Sequence, residues 1–343
     1  MPSITLRNSV QIGGDNQPYI VAEVNSSHNG SIETAKKMID TAADCGCNCV
    51  KFQSWSVESL YSRTYYKANP IAKRFVKKFS MLPDQLLELA KYCKNAGVDF
   101  SSTPYSREEV DFLAKKVDAP FIKIASMELN NYPFLDYIAR TGVPIVLSTG
   151  MGTMDEICRA VETIEEAGNH DICLLHCISV YPPEISEMNL MNIIGLQEKF
   201  PTYPIGFSDH STGMEMATAA VALGACLIEK HITLDKSKIG MDNQMATEPD
   251  EMKLLVRQCH SVRKALGTKD RLVSESELEQ RKNMRRSLIY TRDIEAGNVL
   301  VESDIDAKRP GTGFPPEDMF KFIGRSVTRS VERDTLIAQE DFE

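Results

Sequence analysis

The chain of 343 residues lacks the long apolar run that a membrane span needs. Its longest nearly apolar stretch, residues 217–228, is interrupted by Thr218 and Gly224 and falls short of the roughly 18 to 20 residues that cross a bilayer. Positive charge is also scarce, with 39 lysines and arginines against 48 aspartates and glutamates and a net charge of −9. We therefore expect no nucleic-acid partner and no membrane partner.

Signals for export are also missing. The N-terminal stretch MPSITLRNSVQIGGDNQ has no cationic segment followed by an apolar one, so no secretory signal is predicted. The 9 cysteines are an odd number scattered over apolar segments, which indicates reduced buried thiols. Cys45, Cys47 and Cys49 lack the C-x2-C spacing that is usual in zinc sites. The sequence thus predicts a cytoplasmic protein.

A short apolar run that ends in polar residues, followed by an amphipathic helical stretch, recurs eight times. Such an alternation requires a parallel sheet buried on both faces, and eight units close a (β/α)8 barrel. An open doubly wound sheet is the alternative, but its glycine-rich turn after the first strand is absent. The sequence therefore predicts an α/β TIM barrel. Its strands are expected within 19–23, 49–53, 98–103, 121–126, 144–148, 172–177, 204–208 and 227–231.

The chain is predicted to contain two domains. The barrel is expected to span residues 1–267, followed by a charged linker over 268–282 and a small second domain over 283–343. A domain this short is marginal by itself, so we expect it to dock on the barrel or on a neighbouring subunit. Residues 55–82 exceed the usual loop length and are expected to cover a substrate.

Two histidines mark a candidate metal site. His210 and His231 follow the last two predicted strands, which are neighbours in a barrel and would aim both imidazoles at one point. Two such nitrogens suit a borderline divalent ion, with Glu23 and Asp242 as oxygen donors or supporting partners. The alternative is that each histidine is a hydrogen-bonded residue of the barrel rim.

A second group is cationic and hydroxylic. Lys51 and Lys123 lie at inner strand positions, where a desolvated ammonium group needs an anionic partner. Hydroxyl groups nearby would complete a cradle for phosphate or carboxylate. The alternatives are a Schiff base on Lys123, structural pairing with Glu23 or Glu128, and simple exposure. The hydroxyl residues are Thr103, Ser126, Ser148 and Ser208.

Several motifs together resemble the N-acetylneuraminate (sialic acid) synthase family, which includes legionaminic and pseudaminic acid synthases. The resemblance covers nearly the whole chain. The motifs are AEVNSSHNG (22–30), VKFQ (50–53), SSTPYS (101–106), FIKIASMELNNYP (121–133), VLSTGM (146–151), LLHCISVYP (174–182), GFSDHS (206–211), LGACLIEKHITLD (223–235) and KRPGTG (308–313).

The resemblance implies a TIM barrel followed by an antifreeze-like (SAF) domain, assembled as a domain-swapped homodimer. It implies a transferase that condenses phosphoenolpyruvate with N-acetylmannosamine or a related N-acyl hexosamine. The products would be a nine-carbon 2-keto acid and phosphate, released by C–O cleavage. The expected cofactor is a divalent metal, Mn, with Mg or Co as alternatives.

The resemblance also implies roles for individual residues. His210 and His231 would bind the metal, and Glu23 and Asp242 would assist the reaction of the aldehyde and water. Arg309 would reach across the dimer to the acyl group of the sugar. Phosphoenolpyruvate would contact Lys51, Thr103, Lys123, Ser126, Ser148 and Ser208, with Ser179 near the phosphate. The sugar would be approached by Gln53, Glu128 and Tyr181.

The chain departs from the family pattern on the sugar side. The usual N-H-N-G contains Ser27 in place of its first asparagine, and the usual G-P-D-H is present as Gly240-Met241-Asp242-Asn243. These changes leave open whether the acceptor is N-acetylmannosamine or a 2,4-diacetamido-6-deoxyhexose. A metal-dependent barrel aldolase or hydrolase and a non-catalytic sugar-binding protein are the rival hypotheses.

Overall fold

A computed structural model describes residues 2–238 and 240–343. The chain divides into two compact units, with the boundary between Gly267 and Thr268. None of the helices among the described residues combines the length and the apolar character that a membrane span requires.

The first unit is built on one sheet of eight parallel strands within the described residues. A short antiparallel hairpin of β1 (Ser3–Thr5) and β2 (Gln11–Gly13) precedes the sheet. Each of the eight predicted runs contains one strand, and only β9 extends past its run, by one residue, which confirms the predicted α/β barrel. They are β3 (Tyr19–Glu23), β4 (Cys49–Gln53), β5 (Asp99–Thr103), β6 (Ile122–Ile124), β7 (Ile145–Ser148), β8 (Ile172–Cys177), β9 (Ile205–Asp209) and β10 (Leu227–His231).

The sheet curls into a near-barrel, because the last strand pairs with the first. The order of strands is β5-β4-β3-β10-β9-β8-β7-β6, and β10 lies parallel to β3 with His231 opposite Glu23. The ends β5 and β6 are joined by a side-chain contact, in which Ser101 Oγ donates a hydrogen bond to the carbonyl of Phe121 at 3.0 Å.

Helices connect the strands and cover the outside of the sheet. Ser31 caps the first helix by accepting a hydrogen bond from the Thr34 amide, and Gly97 ends the fifth at a φ of 77°, a conformation that favours glycine. The predicted covering segment 55–82 contains three short helices. The helices are α1 (Ile32–Asp44), α2 (Val57–Leu60), α3 (Arg63–Ala68), α4 (Pro70–Phe79), α5 (Pro83–Ala96), α6 (Arg107–Phe112), α7 (Tyr132–Ala139), α8 (Met154–Glu166), α9 (Asn192–Lys199), α10 (Glu215–Ala222) and α11 (Pro249–Ala265).

The alternation of side chains along each strand divides the barrel interior into an apolar floor and a polar upper layer. Near the amino ends of the strands, inward side chains such as Val21, Phe121 and Leu227 form a buried cluster that β1 and β2 close from below. Because side chains two residues apart share a face, the next inward positions include Lys123 and Glu229. The fold thus places charged groups above an apolar plug.

The second unit contains helix α12 (Glu275–Met284) and an antiparallel pair, β11 (Ser287–Tyr290) and β12 (Ile305–Lys308). Its buried core includes Leu288, Tyr290 and Phe322. Helix α12 covers much of the second half of the predicted linker 268–282. All nine cysteines of the chain are free, and seven of them are buried.

We predict that Ile39→Ala in helix α1 lowers the free energy of unfolding of the first unit by about 2–5 kcal/mol, because the buried side chain leaves a cavity. Lys37→Ala, on the exposed face of the same helix, is the control and is expected to change it by less than about 0.5 kcal/mol. Urea denaturation measures both. Equal effects of the two substitutions would contradict the inward orientation of Ile39.

Candidate active site

A cavity of about 390 Å³ opens at the carboxyl ends of the barrel strands, where barrel enzymes hold their active sites. Most of the residues predicted from the sequence line it, including both histidines and both lysines. The predicted residues in its wall are Glu23, Lys51, Gln53, Thr103, Lys123, Ser126, Ser148, Ser179, Tyr181, Ser208, His210, His231 and Asp242.

Two buried ammonium groups share one carboxylate in this cavity. Glu229 Oε2 lies 3.8 Å from Lys51 Nζ, and Glu229 Oε1 lies 3.7 Å from Lys123 Nζ. Burial by itself would raise the pKa of Glu229, but the two ammonium groups outweigh it and hold the pKa below its usual value. The carboxylate is therefore charged, and it offsets part of the positive charge that the barrel interior encloses.

The two lysines have different surroundings. Lys51 also pairs with Glu23 and donates to Thr103 Oγ1 at 3.2 Å. Burial opposes its charge, but Glu229 and Glu23 raise its pKa overall. Lys123 donates to Ser148 Oγ at 2.6 Å, and burial lowers its pKa despite the attraction of Glu229. Lys123 is therefore the ammonium group that gains more from an incoming anion.

Hydroxyl groups and one close backbone approach surround the lysines. Gly150 donates its amide to Ser126 Oγ at 3.1 Å, and that hydroxyl lies 3.0 Å from Cys177 Sγ. A Cβ atom at position 150 would lie 2.7 Å from Cys177 Sγ and 2.8 Å from Ser126 Oγ, so only glycine fits there. Ser208 Oγ donates to Glu229 at 3.0 Å. These hydroxyl groups line the same cavity as the two lysines.

The imidazoles of His210 and His231 lie side by side, with ring centroids 5.5 Å apart. His210 Nδ1 lies 2.7 Å from the carbonyl of Ile178. Since a carbonyl only accepts hydrogen bonds, Nδ1 carries the proton and Nε2 has a free lone pair. Burial lowers the pKa of both imidazoles, and in His231 the nearby His210 and Lys51 lower it further. Both rings are neutral and able to bind a cation.

A carboxyl group faces the second imidazole. Asp242 Oδ2 lies 3.9 Å from His231 Nδ1 and accepts a hydrogen bond from Asn25 Nδ2. Burial raises the pKa of Asp242 to about 6, although the bond from Asn25 acts in the opposite direction. A group with this pKa exchanges protons readily near neutral pH.

The donor set fits a catalytic metal site better than a structural one. Among the described residues, no group of three or more His, Cys, Asp and Glu side chains is arranged to hold a metal ion. Two neutral imidazole rings lie 5.5 Å apart between centroids, and water or substrate would have to supply the other ligands. Catalytic sites keep such open positions, whereas structural sites are closed by protein ligands.

Aromatic groups line the side of the cavity next to the imidazoles. The ring of Tyr181 lies 4.2 Å from that of His210 between centroids, and Tyr105 donates its hydroxyl to Gln53 Oε1 at 2.8 Å. Trp55 and Tyr61, from the segment predicted to cover a substrate, also line the cavity. Planar rings with polar edges are suited to a sugar.

The structure does not bring every predicted residue to the cavity. Glu128 is absent from its lining, and its carboxylate accepts a hydrogen bond from Asn131 Nδ2 at 2.7 Å. That residue is the last of the short 3-10 turn Ser126–Glu128 that follows β6, whose first two residues line the cavity. Arg309 is an exposed residue of the second unit.

Two other histidines have structural roles. His28 Nδ1 accepts a hydrogen bond from the Gly30 amide at 2.9 Å, and burial lowers its pKa to about 4. His176 Nε2 lies 2.8 Å from the carbonyl of Met188, outside the cavity lining.

Several residues of the cavity wall were not predicted as site residues. Among them are Glu229, Tyr105 and Asn25, although Glu229 stands at a polar strand end near His231. The signal that could have found Glu229 is the two-residue spacing that places it on the same strand face as His231.

Two of the positions that depart from the family pattern contact each other. Ser27 Oγ donates a hydrogen bond to Asn243 Oδ1 at 2.6 Å, and Asn243 Nδ2 donates to the carbonyl of Lys238 at 3.0 Å. This contact links the first βα loop to the loop that carries Asp242.

We predict that Glu229→Gln makes the site bind inorganic phosphate about tenfold more tightly or better, because the variant loses a negative charge beside both lysines. Phosphate should therefore raise its melting temperature more than that of the parent chain. The control is Glu251→Gln, whose carboxylate pairs with Lys236 near the surface at 2.6 Å. If phosphate raised the melting temperature equally in the parent chain and both variants, Glu229 would be excluded from the anion site.

Comparisons with known proteins agree with this geometry. The NeuB family model matches residues 38–271, and the SAF domain model matches residues 285–343. The chain is 36% identical over 331 residues to the N,N'-diacetyllegionaminic acid synthase of Campylobacter jejuni, covering 93% of this chain and 98% of that protein. It is 34% identical over 338 residues to the human (Homo sapiens) N-acetylneuraminate-9-phosphate synthase, covering 96% and 94%.

A solved structure is similar over most of the chain. The N-acetylneuraminic acid (sialic acid) synthetase of Leptospira borgpetersenii is 35% identical, with a TM-score of 0.76, over 81% of this chain and 94% of that one. Sequence, fold and site lead to one assignment. The chain belongs to the NeuB family and carries a SAF domain at its carboxyl end.

Proposed function

We propose that this chain is a sialic acid-type synthase, which condenses phosphoenolpyruvate with the open-chain aldehyde of an N-acyl hexosamine. The products are a nine-carbon 2-keto acid and phosphate. The observation that carries the proposal is the meeting, in one cavity, of two buried ammonium groups with two neutral imidazoles. The first pair suits an anionic ester, and the second suits activation of a carbonyl oxygen.

Phosphoenolpyruvate would bind with its negative groups at Lys51 and Lys123. In the free protein these two ammonium groups have Glu23 and Glu229 as carboxylate partners, and an anionic ester supplies the further charge that they attract. Hydroxyl groups would donate to the remaining oxygens. These belong to Thr103, Ser126, Ser148, Ser179 and Ser208.

The reaction forms one C–C bond and breaks one C–O bond. C3 of phosphoenolpyruvate bonds to the aldehyde carbon, whose oxygen takes up a proton. Water then adds to the electron-poor C2 and loses a proton. The C2–O bond to phosphate breaks, phosphate leaves with the bridging oxygen, and the added oxygen becomes the keto group. Each proton transfer needs a group that can change its protonation state close by.

Asp242 and Glu23 are the groups suited to move those protons. The pKa of Asp242 is raised to about 6, and burial also raises that of Glu23 although Lys51 lowers it. Glu23 Oε1 is held by the Asn25 amide at 2.9 Å and by Gln53 Nε2 at 3.0 Å. We propose that Asp242 serves the aldehyde oxygen, since it faces His231, and that Glu23 serves the attacking water.

A divalent metal bound through His210 and His231 would act as a Lewis acid that polarises the aldehyde oxygen. We propose Mn, with Mg or Co as alternatives. An imidazole pair favours the transition metals, because Mg²⁺ prefers oxygen ligands. The protein's own part is to present both nitrogens unprotonated, which the lowered imidazole pKa values support.

The acceptor is proposed to be N-acetylmannosamine, with a 2,4-diacetamido-6-deoxyhexose as the alternative. The N-acetylneuraminic acid synthetase and the N,N'-diacetyllegionaminic acid synthase named above are similar to this chain at nearly equal identity, 35% and 36%. A barrel aldolase without phosphoenolpyruvate is less well supported, because it would leave the two buried ammonium groups of Lys51 and Lys123 without a function.

We further propose a domain-swapped homodimer, in which Arg309 of one subunit contacts the acyl group of the sugar bound by the other. The proposed domain limits are 1–267 for the barrel, 268–282 for the linker and 283–343 for the SAF domain.

We also propose a cytoplasmic location, which is supported by the nine free thiols because they suit a reducing compartment.

An assay of phosphate release tests the reaction. Release should require phosphoenolpyruvate, Mn²⁺ and a hexosamine together, and oxygen-18 in the bridging position of phosphoenolpyruvate should appear in the phosphate. The acceptor panel contains N-acetylmannosamine, 2,4-diacetamido-6-deoxyhexoses and mannose. Release without any sugar, or product formation without phosphoenolpyruvate, would contradict the proposal.

We predict that His231→Ala abolishes metal-dependent turnover and leaves the fold intact, because the variant loses one of the two imidazoles proposed to bind the metal. Circular dichroism checks the fold, and turnover is measured with and without a chelator. His28→Ala, at a buried histidine outside the cavity lining, is the control for loss of an imidazole. A parent chain that keeps its full rate in the presence of a chelator would remove the Lewis acid from the mechanism.

We predict that Arg309→Ala raises the KM for the hexosamine far more than the KM for phosphoenolpyruvate. Loss of a hydrogen bond from a charged group costs about 1.5–3 kcal/mol, or roughly 10–100-fold in KM. Arg333→Ala, another exposed arginine of the second unit, is the control. Equal changes in both KM values would exclude the proposed contact with the sugar.

A further inference from the structure

A fully buried ion pair lies behind the two imidazoles. Lys230 Nζ is 2.7 Å from Asp209 Oδ2, and both side chains are 0% exposed. The two residues are register partners on the neighbouring strands β9 and β10. Each of them directly precedes one imidazole, Asp209 before His210 and Lys230 before His231. Since successive side chains of a strand point to opposite faces, the pair lies on the outer face of the sheet.

The pair is tied to the segment that carries His210. Lys230 Nζ also donates to the carbonyl of Ser211 at 2.6 Å. Asp209 Oδ1 accepts hydrogen bonds from the amide of Ser211 at 2.9 Å and from its hydroxyl at 2.7 Å. The residues on both sides of His210 are therefore fixed to the neighbouring strand, which carries His231.

Stability alone is a weak explanation for such a pair. Enclosing two charges carries a desolvation cost, and replacing a buried ion pair with apolar side chains of similar volume is often neutral or stabilising. The hydrogen bonds to Ser211, in contrast, restrict the backbone at one point, next to a proposed metal ligand. Interactions that orient metal ligands typically affect metal affinity by 10–100-fold.

We propose that Asp209 and Lys230 are positioning residues, which hold the imidazole of His210 at the distance from His231 that lets both bind one metal ion. The inference rests on the proposed metal-dependent function, but it concerns residues that do not line the cavity. The pair acts through the backbone of His210 and touches no reacting atom.

The test compares the Mn²⁺ affinity of the parent chain with that of variants, in the absence of substrates. The electron paramagnetic resonance signal of free Mn²⁺ measures the binding. In the double variant Asp209→Leu/Lys230→Met no charge is left unpaired, so we expect the variant to fold. We expect a lower melting temperature, because the buried Ser211 loses its three hydrogen bonds to the pair. We expect its Mn²⁺ affinity to fall about 10–100-fold. Phosphoenolpyruvate binding in the absence of Mn²⁺, followed by the fluorescence of Trp55 in the cavity wall, should not change. A folded double variant with the Mn²⁺ affinity of the parent chain would overturn the proposal.

A milder variant covers the case in which the double variant does not fold. Ser211→Ala keeps the ion pair and removes one hydrogen bond to Asp209. We expect a several-fold loss of Mn²⁺ affinity with little change in melting temperature. The matched control is Ser237→Ala, because Ser237 makes the same pair of hydrogen bonds to Asp235, at 2.9 and 2.6 Å, on an exposed loop. Equal Mn²⁺ affinities in the two serine variants would overturn the positioning role.

The outcomes also separate this inference from the proposed function. A parent chain that binds Mn²⁺ and releases phosphate from both substrates, while the pair variants bind Mn²⁺ normally, would overturn the positioning role alone. A parent chain that binds no Mn²⁺ would overturn the metal site and the positioning role together.

Discussion

The site depends on one electrostatic constraint, which is that the ammonium groups of Lys51 and Lys123 are enclosed away from water and share Glu229 as a carboxylate partner. Lys51 also pairs with Glu23, whereas Lys123 donates to the hydroxyl of Ser148 and to the carbonyl of Ile124. Buried charges of this kind are costly unless they are paired and hydrogen-bonded. A substrate that brings phosphate and carboxylate groups would supply both ammonium groups with a further anionic partner. Because the whole chain carries a net charge of −9, it does not attract anions overall, and an anionic substrate has to be held by these local ammonium groups.

The barrel satisfies this constraint through the two-residue periodicity of its strands. Along β10 the inward positions are Leu227, Glu229 and His231. An apolar floor residue, the carboxylate partner of the lysines and a proposed metal ligand therefore follow one another on one face. The residue between the last two, Lys230, points outward and pairs with Asp209. One strand thus contributes both to the chemistry inside the barrel and to the support outside it. The same alternation is what makes a one-residue shift of register incompatible with the site.

The sequence predicted the strands well, because continuous apolar runs bounded by glycine and capping residues have few other interpretations. It also predicted that the imidazoles and ammonium groups converge, since these residues end strands. It did not single out Glu229, although the two-residue spacing from His231 places both on one face of the strand. Glu128 was selected from the family resemblance and is absent from the cavity lining, whereas Ser126 and Met127 of the same 3-10 turn are part of it. Helix α12 within the predicted linker was missed, because its charged sequence resembles a solvated connection.

The central claim is that the anionic ester and the metal-binding imidazoles occupy one cavity. It is tested most directly by phosphorus-31 relaxation of bound phosphoenolpyruvate in the presence of Mn²⁺. Because paramagnetic relaxation falls steeply with distance, the account predicts strong Mn²⁺-dependent broadening of the phosphorus resonance, which His231→Ala abolishes while phosphoenolpyruvate still binds. A phosphorus resonance that Mn²⁺ leaves unchanged in a complex containing both would show that ester and metal bind apart, and would contradict the account.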